Sequence, residues 1–546
     1  MAHFMSWVLE ALAKHPSRTL FKEIDRSKSP PCWVSVSYEG FQRDLERTAA
    51  FWTQTLHGRG LKQNDVVGLW ITGIKYSDLA HIYGLARAGF VIEVLNANCH
   101  IPIIRDLFAK TGGKALLFDP KFTGLVEESD IGLPSQVIPD LNSLPALSPP
   151  LPDLPEVTPD DIALIFHTSG TTSGIPKPVP ETHRWLKCQA QVQWPNLMQC
   201  YREDGRPLVV NNLGSFANIG SATTISYLSW SGHCLIQTSK PDFEVDEFLA
   251  MVEQGLNAMV LYAPWLSKIL DIARSNPTVL SALKKMGQVH YTGAALNPDD
   301  EIWATEQGIP VTALYATTET AGVLVTPLAE KGILPGMRVI EGINVKFIPT
   351  RGLDHAHLDG DSEQRTQGGK LFDLFFPVES DNCPHTSIRN RPDGHITGDL
   401  FEEVKPGVYC FRGRNDDWIR TGKHLSFCDT KSIEDHVLTS CADLVENCVV
   451  VGHYKPAVVL FVEPIQPIDS AEAEGMLKTA ILERIADFNS RLIPHERINS
   501  ALQIVSVRAG SLPRTTEKGN IRRKAAEDEH STILKEIYEN YDSFKS

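Results

Sequence analysis

The sequence has no excess of basic residues, no C-x-x-C pair and no long apolar run. Lysine and arginine total 52 against 67 aspartate and glutamate residues, which gives a formal charge of −15. That charge would repel phosphodiester backbones and anionic lipid, so nucleic acid and membrane surfaces are excluded as expected partners. The ten cysteines are scattered along the chain. This pattern is typical of reduced thiols that pack in the core of a cytosolic protein.

Neither a secretory signal nor a membrane span is evident. The N-terminus, MAHFMSWVLEALAKHPSRTLF, lacks a basic start followed by a long apolar run, and its pattern favours an amphipathic helix. Runs such as AVVLFVEP are far shorter than the roughly 18 to 20 residues that span a bilayer. We expect a soluble, cytoplasmic protein. Its 546 residues predict two or more packed units.

The order of local patterns predicts an α/β protein. Helical periodicity in YEGFQRDLERTAAFWTQTLHGRG alternates with the β-rich runs DVVGLWI, FVIEVLN and KALLFD, which indicates α/β layers with largely parallel strands. A proline-rich stretch at 144–161 indicates a surface connector, because it can continue neither a helix nor a central strand. From about residue 417 shorter strand–helix units and a charged helical tail follow. We therefore place a domain boundary near Asp416, which divides the chain into residues 1–415 and 416–546.

The segment IFHTSGTTSGIPKP at 165–178 carries the strongest chemical signal. It leaves the apolar run IALIF, which reads as a buried strand, so it lies where α/β sheets usually bind ligands. Glycines free backbone N–H groups for oxyanions, hydroxyls add donors and Lys177 adds a point charge, which together suit a polyphosphate. The two prolines around Lys177 exclude a Walker P-loop, and no kinase catalytic loop is present. Taken alone, the stretch is also compatible with a polar surface loop.

Five motifs follow one another along the chain. They are HTSGTTSGIPKP, LYATTET (314–320), TGDLF (397–401), FRGRNDDWIRTGKHLS (411–426) and LPRTTEKGNIRRKA (512–525). Together they resemble the motifs of the adenylate-forming superfamily, and they occur in the family's order. The resemblance spans essentially the whole chain and is nearest to adenylation domains of fungal adenylate-forming reductases, peptide-synthetase-like enzymes and acyl-CoA ligases.

The resemblance implies a fold and a reaction. The fold is a large N-terminal domain of layered α/β subdomains, luciferase-like, followed by a small mobile α+β C-terminal domain. The reaction converts a carboxylic acid and ATP, with Mg²⁺, to an acyl-adenylate and pyrophosphate. The acyl group then passes to a thiol, either of coenzyme A or of a phosphopantetheinyl carrier. A stand-alone amide-forming ligase and a nucleotide-binding pseudoenzyme are the alternatives.

The resemblance also implies which residues catalyse the reaction. Lys518 and Thr318 would stabilise the charge that develops at the α-phosphate and pyrophosphate. Glu319 would hold Mg²⁺, a hard cation that prefers oxygen ligands. Asp399 would accept hydrogen bonds from the ribose diol, and Arg414 would bind the same sugar.

Further nucleotide contacts are implied around the base and the phosphates. Tyr315 would stack on adenine, beside the close backbone of YTGAAL at 291–296. The other cofactor-binding residues that the resemblance implies are Thr168, Ser169, Gly170, Thr171, Thr172, Lys177, Gly293, Ala294, Ala316 and Thr317.

The resemblance places the substrate pocket in NLGSFANIGSATT, at Phe216, Ala217, Asn218 and Gly220. Members that activate amino acids carry an aspartate where Ala217 stands, and acyl-CoA ligases often carry a histidine there. A buried ammonium group without a countercharge is costly. We therefore expect an aryl, aliphatic or α-keto acid rather than an α-amino acid.

Two positions depart from the family pattern. Ser173 is one extra residue in the phosphate loop. The C-terminal motif usually ends in Gly-Lys, whereas here Lys518 precedes Gly519, so Lys524 competes with Lys518 as the catalytic lysine. Both departures keep the pseudoenzyme alternative open.

The final acceptor is expected to come from outside this chain. After residue 525 there is no Asp-Ser-Leu attachment motif for phosphopantetheine, and no second glycine-rich unit that would bind NADPH. Two alternatives remain, a stand-alone ligase and the adenylation portion of a larger reductase. In either case the resemblance implies that the C-terminal domain rotates about Asp416 between the two half-reactions.

Overall fold

A computed structural model describes most of the chain. The residues it describes are 3–25, 28, 32–129, 131–145, 151–168, 176–198, 207–212, 214–239, 244–293, 296–327, 336–350, 371–414, 418–422, 426–492, 494–514 and 521–540.

The strands form five sheets. In chain order they are β1 Thr19–Asp25, β2 Cys32–Ser37, β3 Val66–Trp70, β4 Val91–Leu95, β5 Ala115–Phe118, β6 Ser135–Val137, β7 Ile162–His167, β8 Pro178–Thr182, β9 Val209–Asn211, β10 Cys234–Ile236, β11 Ala258–Tyr262, β12 Gln288–Thr292, β13 Val311–Thr317, β14 Ala321–Val325, β15 Arg338–Val339, β16 Lys346–Pro349, β17 Leu371–Pro377, β18 Gly394–Lys405, β19 Val408–Arg414, β20 Trp418–Thr421, β21 Ser426–Asp429, β22 Val445–Val451, β23 Val459–Pro464 and β24 Ile504–Ser506.

The helices alternate with these strands. They are α1 Phe4–Lys14, α2 Tyr38–His57, α3 Tyr76–Arg87, α4 Ile101–Thr111, α5 Thr123–Glu127, α6 His183–Cys188, α7 Trp194–Leu197, α8 Ile219–Ala222, α9 Thr224–Ser231, α10 Val245–Glu253, α11 Ala263–Ser275, α12 Pro277–Lys284, α13 Pro298–Glu306, α14 Thr430–Ser440, α15 Ala471–Arg491, α16 Arg523–Glu529 and α17 Ser531–Glu539. A π-helical turn, Gln189–Gln193, joins α6 to α7. Within the described residues, no helix is long and apolar enough to cross a bilayer.

Two mainly parallel sheets form the large domain. The nine-stranded sheet has the order β15-β14-β13-β12-β11-β9-β10-β1-β2, and it is parallel from β13 to β1. The six-stranded sheet has the order β6-β5-β3-β4-β7-β8, with only the β7–β8 pair antiparallel. The expected α/β layering with largely parallel strands is confirmed.

The strands form where the sequence is apolar on both faces, as buried parallel strands require. Every residue of β4 and β5 is buried. Helix α2 begins after Ser37, whose hydroxyl accepts a hydrogen bond from the Gly40 N–H at 3.0 Å. The amphipathic N-terminal segment is a helix only to Lys14. The chain then turns before Pro16 and enters β1 at Thr19.

The main core lies between the two sheets. It joins residues of α1, α2 and α3 with side chains of both sheets, including Trp52, Leu69, Val94 and Phe216. A second apolar cluster, around α10 to α12, covers the opposite face of the nine-stranded sheet. The described part of the proline-rich connector, residues 151–161, contains no helix or strand, as expected.

The remaining strands form smaller units. Strands β16 to β19 make an antiparallel sheet, and β20–β21 form a hairpin. Strands β22 to β24 pack with α14 and α15 around an apolar cluster that runs from Ile419 to Ile504. Cys441 and Cys448 are buried in this cluster, as expected of packing thiols. The boundary near Asp416 lies outside the described residues and stays a prediction.

Candidate active site

The parallel strands direct several predicted residues to one edge of the nine-stranded sheet. Strands β9 to β13 are parallel, so their carboxyl ends lie at the same edge. Gly293 follows β12 there with a φ of +83°, and Ala316 and Thr317 end β13. In the other sheet β7 ends at His167, directly before Thr168.

The turn between β13 and β14 presents Thr318 and Glu319. The hydroxyl of Thr317 accepts a hydrogen bond from the Thr320 N–H at 3.2 Å and lies 2.9 Å from the Thr320 hydroxyl. The indole N–H of Trp185, in α6, donates to the Glu319 carbonyl at 3.2 Å. These bonds fix the backbone of the turn, while the side chains of Thr318 and Glu319 stay partly exposed.

The Asp399 carboxylate contacts two side chains, those of Arg414 and Tyr315. It is directly opposite Arg414 in the β18–β19 pair, with Arg414 Nη1 3.7 Å from Asp399 Oδ1. The hydroxyl of Tyr315 donates to Asp399 Oδ2 at 2.5 Å. Burial and the charge of Asp399 hold the pKa of Tyr315 well above its ordinary value, so the hydroxyl remains a donor. The two residues predicted to bind the ribose are therefore brought together.

Sequence reasoning missed the bond between Tyr315 and Asp399. The Tyr315 ring packs edge-to-face on Phe401, with ring centroids 4.9 Å apart. Its centroid is 6.1 Å from that of Phe411. Phe401 and Phe411 are directly opposite each other in the β18–β19 pair, so their rings lie on one face of the hairpin. Adenine stacking by Tyr315 stays a prediction.

Thr168 and Lys177, at the two ends of the predicted phosphate loop, are hydrogen-bonded to each other. The Thr168 N–H donates to the Lys177 carbonyl at 3.0 Å, and the Lys177 N–H donates to the Thr168 hydroxyl at 3.4 Å. Several predicted site residues lie outside the described residues and stay predictions. They are Ser169, Gly170, Thr171, Thr172, Ala294, Asp416 and Lys518.

A buried polar triad supports the base of this loop. His167 Nε2 lies 2.9 Å from Glu93 Oε1, and these side chains are 4% and 0% exposed. The Thr111 hydroxyl donates to Glu93 Oε2 at 2.6 Å. Sequence analysis did not predict the triad, although the single charge in the apolar run FVIEVLN is the signal that marks it.

A second carboxyl group, that of Glu181 in β8, lies near Glu319. Glu181 is 1% exposed, and its Oε1 has no hydrogen-bond partner among the described residues. Burial, and then the nearby charge of Glu319, hold the pKa of Glu181 well above its ordinary value. Both causes favour the neutral form of the Glu181 carboxyl. The sequence analysis did not select Glu181.

Glu319 has the chemistry that Mg²⁺ requires. The described residues contain no group of three or more histidine, cysteine, aspartate or glutamate side chains that could hold a metal. Mg²⁺ is usually bound by one or two carboxylates together with substrate phosphates and water. A partly exposed carboxylate on a fixed turn fits that mode.

The predicted substrate segment is braced by a neighbouring turn. Phe216 and Ala217 are buried, at 0% and 6% exposure. The Phe216 N–H donates to the Gly73 carbonyl at 2.7 Å. Gly73 has a φ of +74°, and a Cβ there would lie 1.9 Å from the Ser215 hydroxyl. Only glycine fits that close approach.

The same segment continues into a short helix. The Asn218 N–H donates to the Ser215 carbonyl at 2.9 Å. Gly220 lies in α8, and its carbonyl accepts a hydrogen bond from the Thr224 hydroxyl at 2.5 Å. Phe216, Ala217, Asn218 and Gly220 thus lie in one hydrogen-bonded turn and helix.

Two arginines of the C-terminal motif, one on each side of the segment that contains Lys518, pair with buried glutamates. Arg514 pairs with Glu463, whose side chain is 0% exposed. Arg523 pairs with Glu434, and these side chains are 11% and 9% exposed. Arg514 and Ile521 form an antiparallel bridge, which brings together the two ends of the segment that contains Lys518.

Lys524, the competing lysine, is exposed at the surface of α16. Its ammonium group is 2.6 Å from Asp528 Oδ1 in the same helix, and its side chain is 80% exposed.

Comparison with known proteins decides the family. Residues 9–347 match the family described as AMP-binding enzyme, and residues 428–542 match the AMP-binding enzyme C-terminal domain. The chain belongs to the AMP-binding, adenylate-forming enzymes. This confirms the resemblance that the five motifs indicated.

Individual relatives agree with the family. The chain is 32% identical over 526 residues to the AMP-binding domain-containing enzyme iboA of Amanita muscaria (strain Koide BX008), which covers 93% of this chain and 98% of that protein. It is 24% identical over 480 residues to the adenylate-forming reductase stbB of Stachybotrys bisbyi, covering 84% of this chain but only 42% of stbB.

A solved structure shows the same fold. O-succinylbenzoate coenzyme A synthetase from Bacillus subtilis, in complex with ATP and magnesium ion, matches with a TM-score of 0.71 at 15% identity. The match covers 96% of this chain and 99% of that one. The expected adenylation fold with a small C-terminal domain is confirmed.

Proposed function

We propose that this enzyme activates a carboxylic acid that lacks an α-ammonium group. The acid and ATP give an acyl-adenylate and pyrophosphate, and the acyl group then passes to a thiol. The observation that supports the nucleotide part is the contact of Asp399 with both Tyr315 and Arg414. In this proposal the Asp399 carboxylate accepts from the ribose diol. The turn that carries Thr318 and Glu319 follows Tyr315 directly in β13.

In the first half-reaction an oxygen of the acid's carboxylate attacks the α-phosphorus, and the bond to pyrophosphate breaks. Thr318 donates to an α-phosphate oxygen, and Lys518 stabilises the charge that develops there. Lys177, with the hydroxyls of the loop at 168–172, holds the β- and γ-phosphates. Mg²⁺, when held by Glu319, supplies neutralisation of the phosphate oxygens.

The preference against α-amino acids follows from the substrate segment. Ala217 is 6% exposed and carries no charge. The stretch from 214 to 222, GSFANIGSA, contains no acidic residue. An ammonium group buried there would lose its hydration without gaining a counterion.

The thiol acceptor is the second part of the proposal. The chain shares its fold with a coenzyme A synthetase and is similar in sequence to 42% of an adenylate-forming reductase. Coenzyme A and a separate phosphopantetheinyl carrier are therefore the acceptors to test. A hinge at Asp416 must change φ and ψ between the half-reactions, so Asp416→Pro should spare adenylation and impair transfer. Equal loss of both half-reactions in this variant would exclude a selective hinge role.

The experiment that tests the first half-reaction is exchange of labelled pyrophosphate into ATP, with and without an added acid. We expect exchange with aryl, aliphatic or α-keto acids and none with the matching α-amino acids. Strong exchange with α-amino acids alone would contradict the substrate class. No exchange with any acid, despite ATP binding, would favour a pseudoenzyme. Product formation with an amine but not with a thiol would identify an amide-forming ligase.

A further inference from the structure

The π-helical turn Gln189–Gln193 carries two buried glutamines that the proposed reaction does not use. Gln189 is 1% exposed and Gln193 is 2% exposed. A π turn inside an α-helix is rare and frequently marks a functional site. Because the residues are four apart in a helix, their side chains lie side by side.

Each glutamine has an unused amide atom. Gln193 Nε2 donates to the Thr320 carbonyl at 3.2 Å, which fixes the orientation of the amide, but its Oε1 has no hydrogen-bond partner among the described residues. Gln189 Nε2 likewise has no partner in the part of the chain that the structure describes. Leaving a buried polar atom unpaired is costly, so such atoms call for an explanation.

The π turn that carries the two amides packs against two parts of the proposed site. On one side, Gln193 bonds to the turn that carries Glu319. On the other side, Trp194 stacks on Tyr227 of α9 with ring centroids 5.1 Å apart. Helix α9 follows the substrate segment 216–220 directly. The π turn therefore packs both against the turn that carries Glu319 and against the helix that follows the substrate segment.

We propose that Gln189 and Gln193 recognise an uncharged polar group, a hydroxyl or a primary amide, on the side chain of the acid. This inference rests on the proposed function and narrows its substrate class. The fixed Oε1 of Gln193 accepts a hydrogen bond, and the Nε2 of Gln189 donates one. A hydroxyl or an amide does both at once, whereas a second carboxylate would place an anion against the Gln193 oxygen.

The test compares pairs of acids that differ only in the polar group. Suitable pairs are benzoate with 4-hydroxybenzoate, hexanoate with 6-hydroxyhexanoate, and pentanoate with the monoamide of glutaric acid. We expect pyrophosphate exchange with at least one polar member to exceed that with its apolar partner by about 10-fold or more in kcat/KM. A site built to bond a hydroxyl rejects an analogue that lacks it, since the buried polar groups are then left unpaired.

Variants of the π turn assign the effect to the two amides. Gln189→Leu should lower kcat/KM for the preferred polar acid about 10-fold or more, and leave KM for ATP and the apolar partner unchanged. Gln193→Met provides a second variant should the first fail to fold. Gln191→Leu is the matched control, because Gln191 lies midway on the same turn, is partly exposed, and should not change the preference.

The possible failures are distinguishable. Exchange with apolar acids that equals exchange with their polar partners, or a polar preference that Gln189→Leu leaves intact, would overturn this inference alone. If no acid of any kind drives exchange, the proposed function fails first.

Discussion

The large and small domains hold their functional residues in different ways. In the large domain, Gly293 and the 317–320 turn lie at the edge where parallel strands end, so the strand order itself brings them together. In the small domain, the segment with Lys518 is flanked by the pairs Arg514–Glu463 and Arg523–Glu434. Sheet topology positions Gly293 and the 317–320 turn, whereas side-chain pairs lie at the two ends of the segment that contains Lys518.

This difference predicts different sensitivities. Residues at the carboxyl edge of a sheet are supported by many backbone hydrogen bonds, so single side-chain changes there should alter binding more than folding. A buried ion pair depends on both partners, and removal of one leaves an uncompensated charge. The predictions below test this contrast, beginning with the largest expected effect.

The largest effect is expected from loss of Arg523. In Arg523→Leu the Glu434 carboxylate, 9% exposed, would remain buried without its cation. Glu434 Oε1 also accepts from the Val450 N–H at 2.7 Å, so it cannot easily turn to solvent. We expect a loss of about 3 to 5 kcal/mol in the free energy of unfolding, measured by chemical denaturation.

The matched control is Arg484→Leu in the same domain. Arg484 pairs with Asp443, and these side chains are 36% and 67% exposed. Its replacement should change the unfolding free energy by less than about 1 kcal/mol. Equal losses in the two variants would show that the buried pair does not anchor the small domain.

The next effect concerns catalysis rather than folding. Lys518→Ala should slow pyrophosphate exchange about 100-fold or more, the usual loss of one charge contact in the transition state, and leave ATP binding largely intact. Lys524→Ala should do much less, because the Lys524 ammonium group is paired with Asp528 and 80% exposed. The opposite ranking would show that Lys524, not Lys518, is the catalytic lysine.

Within the large domain, some features were predictable from the sequence and others were not. The strand that contains IALIF was predictable, because a buried apolar run has a clear pattern. The opposition of Asp399 to Arg414 was not, because it depends on the register of the β18–β19 pair. Glu93 and Glu181 were missed for a related reason, since a lone charge in an apolar run gains its partner only through the fold.

A smaller effect tests the contact between Gly73 and the substrate segment. Gly73→Ala would place a Cβ 1.9 Å from the Ser215 hydroxyl and 3.1 Å from the Ala217 nitrogen. The segment must shift, so KM for the acid should rise about 10-fold while KM for ATP changes little. Gly60→Ala is the control, because Gly60 has a φ of +87° and a Cβ there meets no atom within 4 Å. If both variants raise KM for the acid alike, the cause is the backbone strain of alanine at positive φ, not the contact between residue 73 and the substrate segment.

The smallest effect is a pH dependence at the N-terminus, where α1 packs on the large domain. The Phe4 N–H donates to His183 Nδ1 at 3.2 Å, beside the buried ring of His3. Burial, and then the neighbouring His183 and Arg87, lower the pKa of His3 from 6.5 to about 3. Between those pH values the unfolded chain binds a proton that the folded chain does not, so stability falls as pH falls below about 6.5.

His3→Asn removes this titration and keeps a side-chain acceptor for the Met5 N–H, which His3 Nδ1 binds at 3.2 Å. Lowering the pH from 7 to 5 should therefore cost the native enzyme about 1 to 2 kcal/mol more than the variant. Urea unfolding of both proteins at the two pH values measures the difference. Both proteins share every other titrating group. Identical losses of unfolding free energy would therefore mean that His3 is already protonated in the folded enzyme. The N-terminal helix would then not be held by a neutral His3.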